Sequence, residues 1–462
     1  MERFKVSTDN RELKKFIVKK NNTLSGSFLL KKSKKSVIDR ENYMIENIIE
    51  NKALTSYAEE NKLNPLHLVS EFKEKYINYR RDWKKQPLNC ITKKYSAKEH
   101  LNNNVNPLCL DIEIASICDL ACPFCYREYI ATPDKIIDEQ LCYDLINQAA
   151  NLNIPSIKFN WRGEPLLNNK IYEYISYAKK KGILETIINT NATNLSTKNS
   201  EKLIDSGLDL IIYSFDGGSK ETYEKMRPGR FKKNEFEKVY ENIKNFKSIR
   251  NSKKSKLPFT KIQMILTEDT INEVDNFFDL FDKYVDDVSV NQYTERGGKI
   301  SNLTDQELKK YEFLINKYGL KKGSAYMRDL FGNISVSKGR LPCEQPFQRM
   351  LVTYEGKVAM CCYDWGANHP IGYTSMKAFN NKNDYEDVMD KVKNKKKGFE
   401  LLKDIEIGKD LNFPTKNVSS LKNIWFGEEL EKVRTKHQTK EMDDVSICKN
   451  CTFKDTYEWT SD

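Results

Sequence analysis

The feature that most limits what this chain can fold into is an apolar run at 108–117 that leads directly into three cysteines, Cys118, Cys122 and Cys125. The run reads as a buried strand, so the fold has to bring the end of a central strand to a loop that carries three thiolates. Thiolates spaced C-x3-C-x2-C can hold three irons of a cubane cluster and leave the fourth iron open for a substrate or cofactor. Spacing alone does not name the metal, and a zinc site or a disulfide cluster also fits three close cysteines.

The rest of the chain narrows this. At 462 residues it is long enough for two or three domains, and 39% hydrophobic with 31% charged residues suits a soluble protein. The start of the chain has no apolar signal region and no run is long enough to cross a membrane, which predicts a cytoplasmic protein. Eleven cysteines in such a chain point to metal or catalysis rather than disulfides. Seven fall into two sets, Cys118/Cys122/Cys125 and Cys343/Cys361/Cys448/Cys451, while Cys90, Cys109 and Cys142 are isolated and expected to be buried as small hydrophobes. The four histidines are not paired at ligand spacing, so the expected metals want sulfur. The formal charge of +11 is spread along the chain, which suits a solvated surface better than a nucleic-acid groove.

From residue 108 onward apolar segments alternate between strand and helix patterns. Strands are predicted at 108–116, 155–160, 183–189, 208–214, 259–267 and 286–292, giving an α/β fold in which six β/α units form a partial, open (β/α)6 barrel of parallel strands. Ligands in such folds sit beyond the carboxyl ends of the strands, so those ends are the places to inspect. The first ends in the cysteine loop. The second runs through Arg162 into Gly163-Glu164-Pro165, where glycine permits a close backbone approach and the carboxylate can accept from an ammonium group. The third ends in Asn189-Thr-Asn-Ala-Thr193, the fourth in Ser214-Phe-Asp-Gly217 with Tyr223 and Arg227 following. The sixth ends in a polar stretch with Tyr293, Glu295 and Arg296 before two glycines.

In this order the motifs resemble the radical S-adenosylmethionine (radical SAM) enzymes over residues 108–298: the three-cysteine signature with Phe124 as its aromatic, a Gly-Glu-Pro segment, a Thr-Asn-Gly-Thr-like turn, and a Ser-x-Asp-Gly strand end. The chain departs from the family pattern at Arg162, in place of the first glycine of Gly-Gly-Glu-Pro, and at Ala192, where glycine is usual. The resemblance implies a 4Fe-4S cluster on Cys118, Cys122 and Cys125. It also implies S-adenosylmethionine bound with help from Phe124, Gly163, Glu164, Asn189, Ser214 and Arg227, and substrate contacts at Tyr293, Glu295 and Arg296. Reduction of such a cluster cleaves the sulfonium and yields a 5'-deoxyadenosyl radical that takes a hydrogen atom from substrate.

The carboxyl-terminal part, 343–462, shows a hairpin around Glu355-Gly356 with Cys343 and Cys361 near its base, and a late Cys448-x-x-Cys451 pair. It resembles the twitch and SPASM extensions, which implies one auxiliary 4Fe-4S cluster on Cys343, Cys361, Cys448 and Cys451. The adjacent Cys362 leaves the choice of hairpin ligand open, because successive strand residues face opposite sides. A lysine-rich insertion at 377–417 reads as a solvated surface element, and 301–342 as a helical connection. Residues 1–100 read as a mostly helical unit with strands at 16–19 and 27–30 and helices at 41–50, 54–61 and 67–79, a pattern similar to the winged helix that holds a leader peptide in some peptide-modifying members of the family.

Together these features predict a radical SAM oxidoreductase acting on a carbohydrate-like or other polar small molecule, with the auxiliary cluster taking the second electron and a flavodoxin or ferredoxin as reductant. A radical maturase of a ribosomally made peptide is the second reading. A zinc-binding, nucleic-acid-binding protein is the reading from another class, and it leaves the successive strand-end motifs without a role.

Overall fold

The computed structural model describes residues 40–125, 127, 132–267, 269–292, 326–328, 334–336, 342–367, 369–379 and 417–449. Six strands, β1 (Cys109–Ile112), β2 (Ser156–Lys158), β3 (Glu185–Thr190), β4 (Leu210–Ser214), β5 (Phe259–Leu266) and β6 (Asp287–Gln292), lie side by side in sequence order and all parallel. Helices fill the crossovers between them, among them Glu139–Asn151, Ile171–Lys180, Thr197–Asp205, Phe236–Ser252 and Val274–Phe281. This is the predicted partial barrel.

Local chemistry explains the elements. The helix Glu139–Asn151 starts where the Asp138 side chain accepts from the Leu141 amide, and it buries Leu141, Cys142, Leu145, Ile146 and Ala149 at helical spacing. Ser196 and Ser219 cap the starts of the helices Thr197–Asp205 and Lys220–Met226 in the same way. The strands carry β-branched and aromatic residues, and Ile112, Ile157, Ile188, Ile211 and Ile262 join one continuous core. Cys90, Cys109 and Cys142 are fully buried, as expected of small hydrophobes.

The expected carboxyl-terminal hairpin extends this sheet. Beyond a short antiparallel pair, β7 (Tyr326–Arg328) and β8 (Ile334–Val336), the hairpin consists of β9 (Arg349–Val352) and β10 (Lys357–Ala359), with β11 (Pro370–Tyr373) outside it. β9 lies parallel on β1, with Leu110 opposite Met350 on one side and Ile157 on the other. The resulting nine-stranded sheet has the order β11-β10-β9-β1-β2-β3-β4-β5-β6. Gly356 makes the predicted turn at φ +98°, where its amide donates to the Thr353 carbonyl. The 301–342 connection needs a correction at its described residues: β7 and β8 are strands, favoured by the β-branched and aromatic residues Ile334, Val336 and Tyr326.

At the amino-terminal unit the helices Arg40–Glu46, Lys52–Glu60 and Pro65–Thr92 appear near the predicted places. Asn64 accepts from the Leu66 amide and Pro65 takes the first helical position, which starts the third of these helices. Met44, Leu54, Phe72, Tyr76 and Tyr79 pack on Leu184, Leu210 and Phe259, covering the amino-terminal end of the strands. The strands predicted at 16–19 and 27–30 lie outside the described residues, as does most of the 377–417 insertion.

Candidate functional site

The cysteine loop leaves β1 at the carboxyl end of the sheet. An isolated bridge between Ala115 and Ile136 carries the strand direction onward, and Cys118 follows three residues later. The loop is held from one side by the segment after the helix Lys220–Met226: the Ala121 amide donates to the Pro228 carbonyl at 2.9 Å, and the Arg230 amide to the Asp119 carbonyl at 2.8 Å. Cys122 is buried, while Cys118 and Cys125 are partly exposed. Burial, with Glu164 nearby, pushes the Cys118 thiol well above its ordinary range, so a metal would have to displace its proton. Among the described residues no three His, Cys, Asp or Glu side chains are grouped as a single ion would need. A tetrahedral zinc draws its thiolates to about 2.3 Å from one point, whereas a cluster offers a separate iron to each.

The second strand end packs against this loop. Gly163 sits at φ +69°, and a Cβ there would come within 2.4 Å of the Ala115 carbonyl oxygen and 2.6 Å of that of Ile117, so the close approach admits only glycine. The Glu164 amide then donates to the Ile117 carbonyl at 2.8 Å. The carboxylate of Glu164 is buried and accepts from Thr190 Oγ1 at 2.7 Å, the Asn191 amide at 2.8 Å and the Leu166 amide at 3.1 Å. Burial, followed by the charge of Asp119, raises it to about 7. A buried carboxylate pushed up in this way gains from a cationic partner.

The third strand end joins the two. Asn191 Nδ2 donates to Asp119 Oδ1 at 2.8 Å and lies 4.0 Å from Cys118 Sγ, and Thr193 Oγ1 donates to Asp119 Oδ2 at 2.6 Å. Sequence reasoning singled out Asn189 and missed Thr190, Asn191 and Asp119, although all but Asp119 lie in the motif it quoted. Asn189 donates its amide to Asn160 Oδ1, and its own Oδ1 is buried without a partner among the described residues. Ser214, half-buried, closes β4. Arg227 is buried and bound to Asp216, with Nε at 2.8 Å and Nη2 at 2.6 Å, and its guanidinium lies 5.8 Å from the Phe124 ring centre. Arg227 thus stands beside the cysteine loop with its charge already matched. Tyr293, Glu295 and Arg296 lie outside the described residues.

Arg162, the departure from glycine, is fully buried and forms a two-pronged pair with Glu113, Nε to Oε1 at 2.6 Å and Nη2 to Oε2 at 2.8 Å. It also donates to the Trp365 carbonyl at 2.9 Å, while Trp161 Nε1 donates to the Cys362 carbonyl at 3.3 Å. Glu113 accepts in addition from the Tyr354 amide. The strand end that supplies Gly163 and Glu164 is therefore tied to the hairpin that supplies Cys361. Of the doublet, Cys361 packs on the main core, to which Cys448 belongs, and Cys362 packs with Trp161 and Trp365 and points its thiol at Gln345 Oε1. Cys343 and Cys448 are brought together by His437, whose ring lies between the Cys343 amide and the Cys448 thiol. Cys451 lies outside the described residues.

This arrangement fits the expected cofactors by the chemistry of its donors: three thiols on one loop, a buried carboxylate that wants a cation, and an unpartnered Asn189 oxygen at the neighbouring strand end. Residues 112–281 match the Radical SAM superfamily. A probable GTP 3',8-cyclase from Methanothermobacter marburgensis is 31% identical over 123 residues, 26% of this chain and 40% of that protein. The mycofactocin maturase MftC of Mycolicibacterium smegmatis is 22% identical over 219 residues, 46% of this chain and 52% of that protein. Both matches span less than two thirds of the relative's own length. Among solved structures, BtrN in complex with AdoMet and 2-DOIA is similar at TM-score 0.40 and 15% identity, covering 75% of this chain and 92% of BtrN. Streptococcus suis SuiB bound to precursor peptide SuiA is similar at TM-score 0.47 and 15% identity, covering 86% and 76%. Among the described residues no helix is long and apolar enough to cross a membrane. The parallel strands and the loop at their carboxyl ends are those of a radical SAM domain, which residues 112–281 of this chain match, and the cofactors of that superfamily are a 4Fe-4S cluster and S-adenosylmethionine.

Proposed function

We propose that this protein cleaves S-adenosylmethionine reductively and oxidises a carbohydrate-like or other polar small molecule. The observation that carries the reading is the contact of three strand ends at one point, with Cys118, Asp119, Glu164 and Asn191 linked by hydrogen bonds. Cys118, Cys122 and Cys125 would hold the cluster. Bound there, the cluster and S-adenosylmethionine supply a 5'-deoxyadenosyl radical able to take a hydrogen atom from substrate. Glu164 would accept from the methionine ammonium, Gly163 lets the cysteine loop's backbone pack close enough to set Glu164 and the cofactor side by side, and Asn189 and Ser214 would meet the ribose. Phe124 and Arg227 flank the loop, and Tyr293, Glu295 and Arg296 would meet substrate. Cys343, Cys361, Cys448 and Cys451 would hold an auxiliary cluster that supplies an acceptor for one electron, which favours oxidation over rearrangement. A flavodoxin or ferredoxin would be the reductant.

The test is iron and sulfide per chain after anaerobic reconstitution, together with a dithionite-driven assay for 5'-deoxyadenosine. About eight irons with cleavage supports two clusters, and Cys448→Ala is expected to remove about four of them. Cys118→Ala is expected to abolish cleavage; retained 5'-deoxyadenosine in that variant overturns the site assignment. Zinc in place of iron overturns the whole reading. For the substrate class, deuterium transferred from labelled polyols into 5'-deoxyadenosine supports the small-molecule reading, and transfer from a peptide alone sinks it.

A further inference from the structure

Arg162 stands where the family pattern has a glycine, and neither cofactor expected at the site calls for a cation there. It is fully buried, and so is Glu113, its partner in the two-pronged pair. Glu113 directly follows β1 and leads toward the cysteine loop, while Arg162 directly precedes Gly163 and Glu164. The pair therefore bridges the same two segments whose backbones meet where the Glu164 amide donates to the Ile117 carbonyl.

The hairpin closes on the pair from the other side. Glu113 donates its amide to the Val352 carbonyl at 2.9 Å, and its Oε2 accepts from the Tyr354 amide at 3.2 Å. Arg162 Nη1 reaches the Trp365 carbonyl, and its guanidinium lies 4.5 Å from the Trp161 ring centre. The rings of Trp161 and Trp365 meet edge to face, with centres 6.5 Å apart. Trp365 belongs to the segment 361–367 that leaves the hairpin, where its amide donates to the Tyr363 carbonyl and that of Ala367 to the Asp364 carbonyl. Taking both charges of such a pair out of water costs about as much as their attraction returns, so the pair adds little net stability. Its two parallel bonds do fix one geometry between the segments that carry it.

We propose that Arg162 is a positioning residue for S-adenosylmethionine binding: clamped between Glu113 and the Trp365 carbonyl, it sets Glu164 against the cysteine loop and couples the cofactor site to the segment 361–367. The inference rests on the reading of Glu164 as acceptor for the cofactor's ammonium. Arg162 acts through the backbone it carries, since Gly163 and Glu164 follow it in the chain. A shift of the Trp365 carbonyl moves the guanidinium and, with it, the buried carboxylate. Coupling of this kind is reciprocal, so cofactor held at Glu164 steadies the segment around Trp365 in return.

The experiment compares the full chain, anaerobically reconstituted, with its Glu113→Leu, Arg162→Met and doubly substituted variants, by denaturant titration and by equilibrium binding of S-adenosylmethionine. Each single change strands a buried charge and is expected to lower stability. The double variant replaces both charges with apolar groups, and it is expected to recover the stability of the parent while binding the cofactor about tenfold more weakly. Affinity that recovers together with stability makes the pair merely structural and overturns the proposal. Should the double variant not fold, hydrogen exchange of the parent decides. Saturating S-adenosylmethionine is expected to slow exchange of the Trp365 and Ala367 amides about tenfold, and unchanged exchange overturns the coupling. Glu164→Gln in the same binding titration tests the reading beneath: affinity equal to that of the parent removes Glu164 from the ammonium and the proposal with it, an outcome distinct from recovery in the double variant.

Discussion

Each end of the parallel sheet buries a glutamate, and the two ends surround it differently. At the amino-terminal end Glu185, the first residue of β3, is matched by Arg40 at 3.1 Å and by the hydroxyls of Tyr79 at 3.0 Å and Tyr76 at 3.3 Å. Burial works against its ionisation, but Arg40 and Arg80 with these hydroxyls hold the carboxyl below its ordinary range. At the carboxyl-terminal end Glu164 has hydroxyl and amide donors but, among the described residues, no matched cation, and burial with Asp119 raises it to about 7. One end has been completed by the helices packed over it. The other is left wanting a positive charge, which is the condition of a binding site.

The difference predicts opposite responses to removing the two carboxylates. Glu185→Ala leaves Arg40 uncompensated against the barrel, and we expect a loss of about 3–5 kcal/mol in stability, read by denaturant titration, with cofactor affinity of the folded fraction unchanged. If Glu185→Ala weakens S-adenosylmethionine binding instead, the two ends are not separable. Glu164→Gln should act on binding instead. It removes a buried charge, worth about 1–3 kcal/mol to the cofactor-free protein above pH 7, but its NH2 must face the Leu166 or Asn191 amide, which costs about 1–3 kcal/mol, so stability stays nearly level. Cofactor binding weakens by about 1.5–3 kcal/mol through loss of a charged hydrogen bond. A Glu164→Gln protein that binds the cofactor as tightly as the parent would show that the carboxylate does not meet the ammonium.

The pH dependence follows with its sign. Glu164 is raised when folded, so between its unfolded value near 4.5 and about 7 the folded state holds a proton the unfolded state has lost. Its contribution to stability therefore falls as pH rises through this window and is level above it. An ammonium needs the ionised carboxylate, so cofactor affinity should be level above pH 7 and decline by up to about tenfold per pH unit below it, with a proton released on binding. Calorimetry in buffers of different ionisation heat measures that proton, and its absence at pH 6 would separate Glu164 from the ammonium. Glu185 behaves oppositely: its stabilising effect is present above its unfolded value and lost as pH falls through the depressed folded one.

These contrasts also show what a sequence can carry. The six parallel strands are legible because each is an apolar segment bounded by turn residues and followed by a helical pattern, all of it local. The parallel pairing of β9 on β1 has no local signature, since Arg349 and Cys109 meet across the whole barrel. Arg162 illustrates the same limit at the site. As a residue type it reads as a missing glycine; only the fold reveals Glu113 opposite it and the Trp365 carbonyl beyond. Asp119 and His437 were passed over for a similar reason, because a single polar residue acquires its role from what the fold sets against it. The cysteines were visible since their chemistry depends on type and spacing.

Ala192 gives the smallest effect. It holds φ +60° where glycine is usual in the family, with its amide donating to Thr190 Oγ1 at 3.0 Å and its carbonyl accepting from Asn242. Glycine would relieve a left-handed conformation worth about 1–2 kcal/mol. It would also lose a buried methyl worth about 0.8 kcal/mol and add about 0.5–1 kcal/mol of chain entropy to the unfolded state. The terms nearly cancel, so Ala192→Gly should shift stability by less than about 1 kcal/mol, with cofactor affinity nearly unchanged. The turn's function lies in the Asn191 amide and side chain, which reach Glu164 and Asp119 whichever residue follows. If Ala192→Gly alters affinity several-fold while stability stays level, the methyl itself shapes the site, and the carboxyl-terminal end is more closely fitted than its unmatched carboxylate suggests.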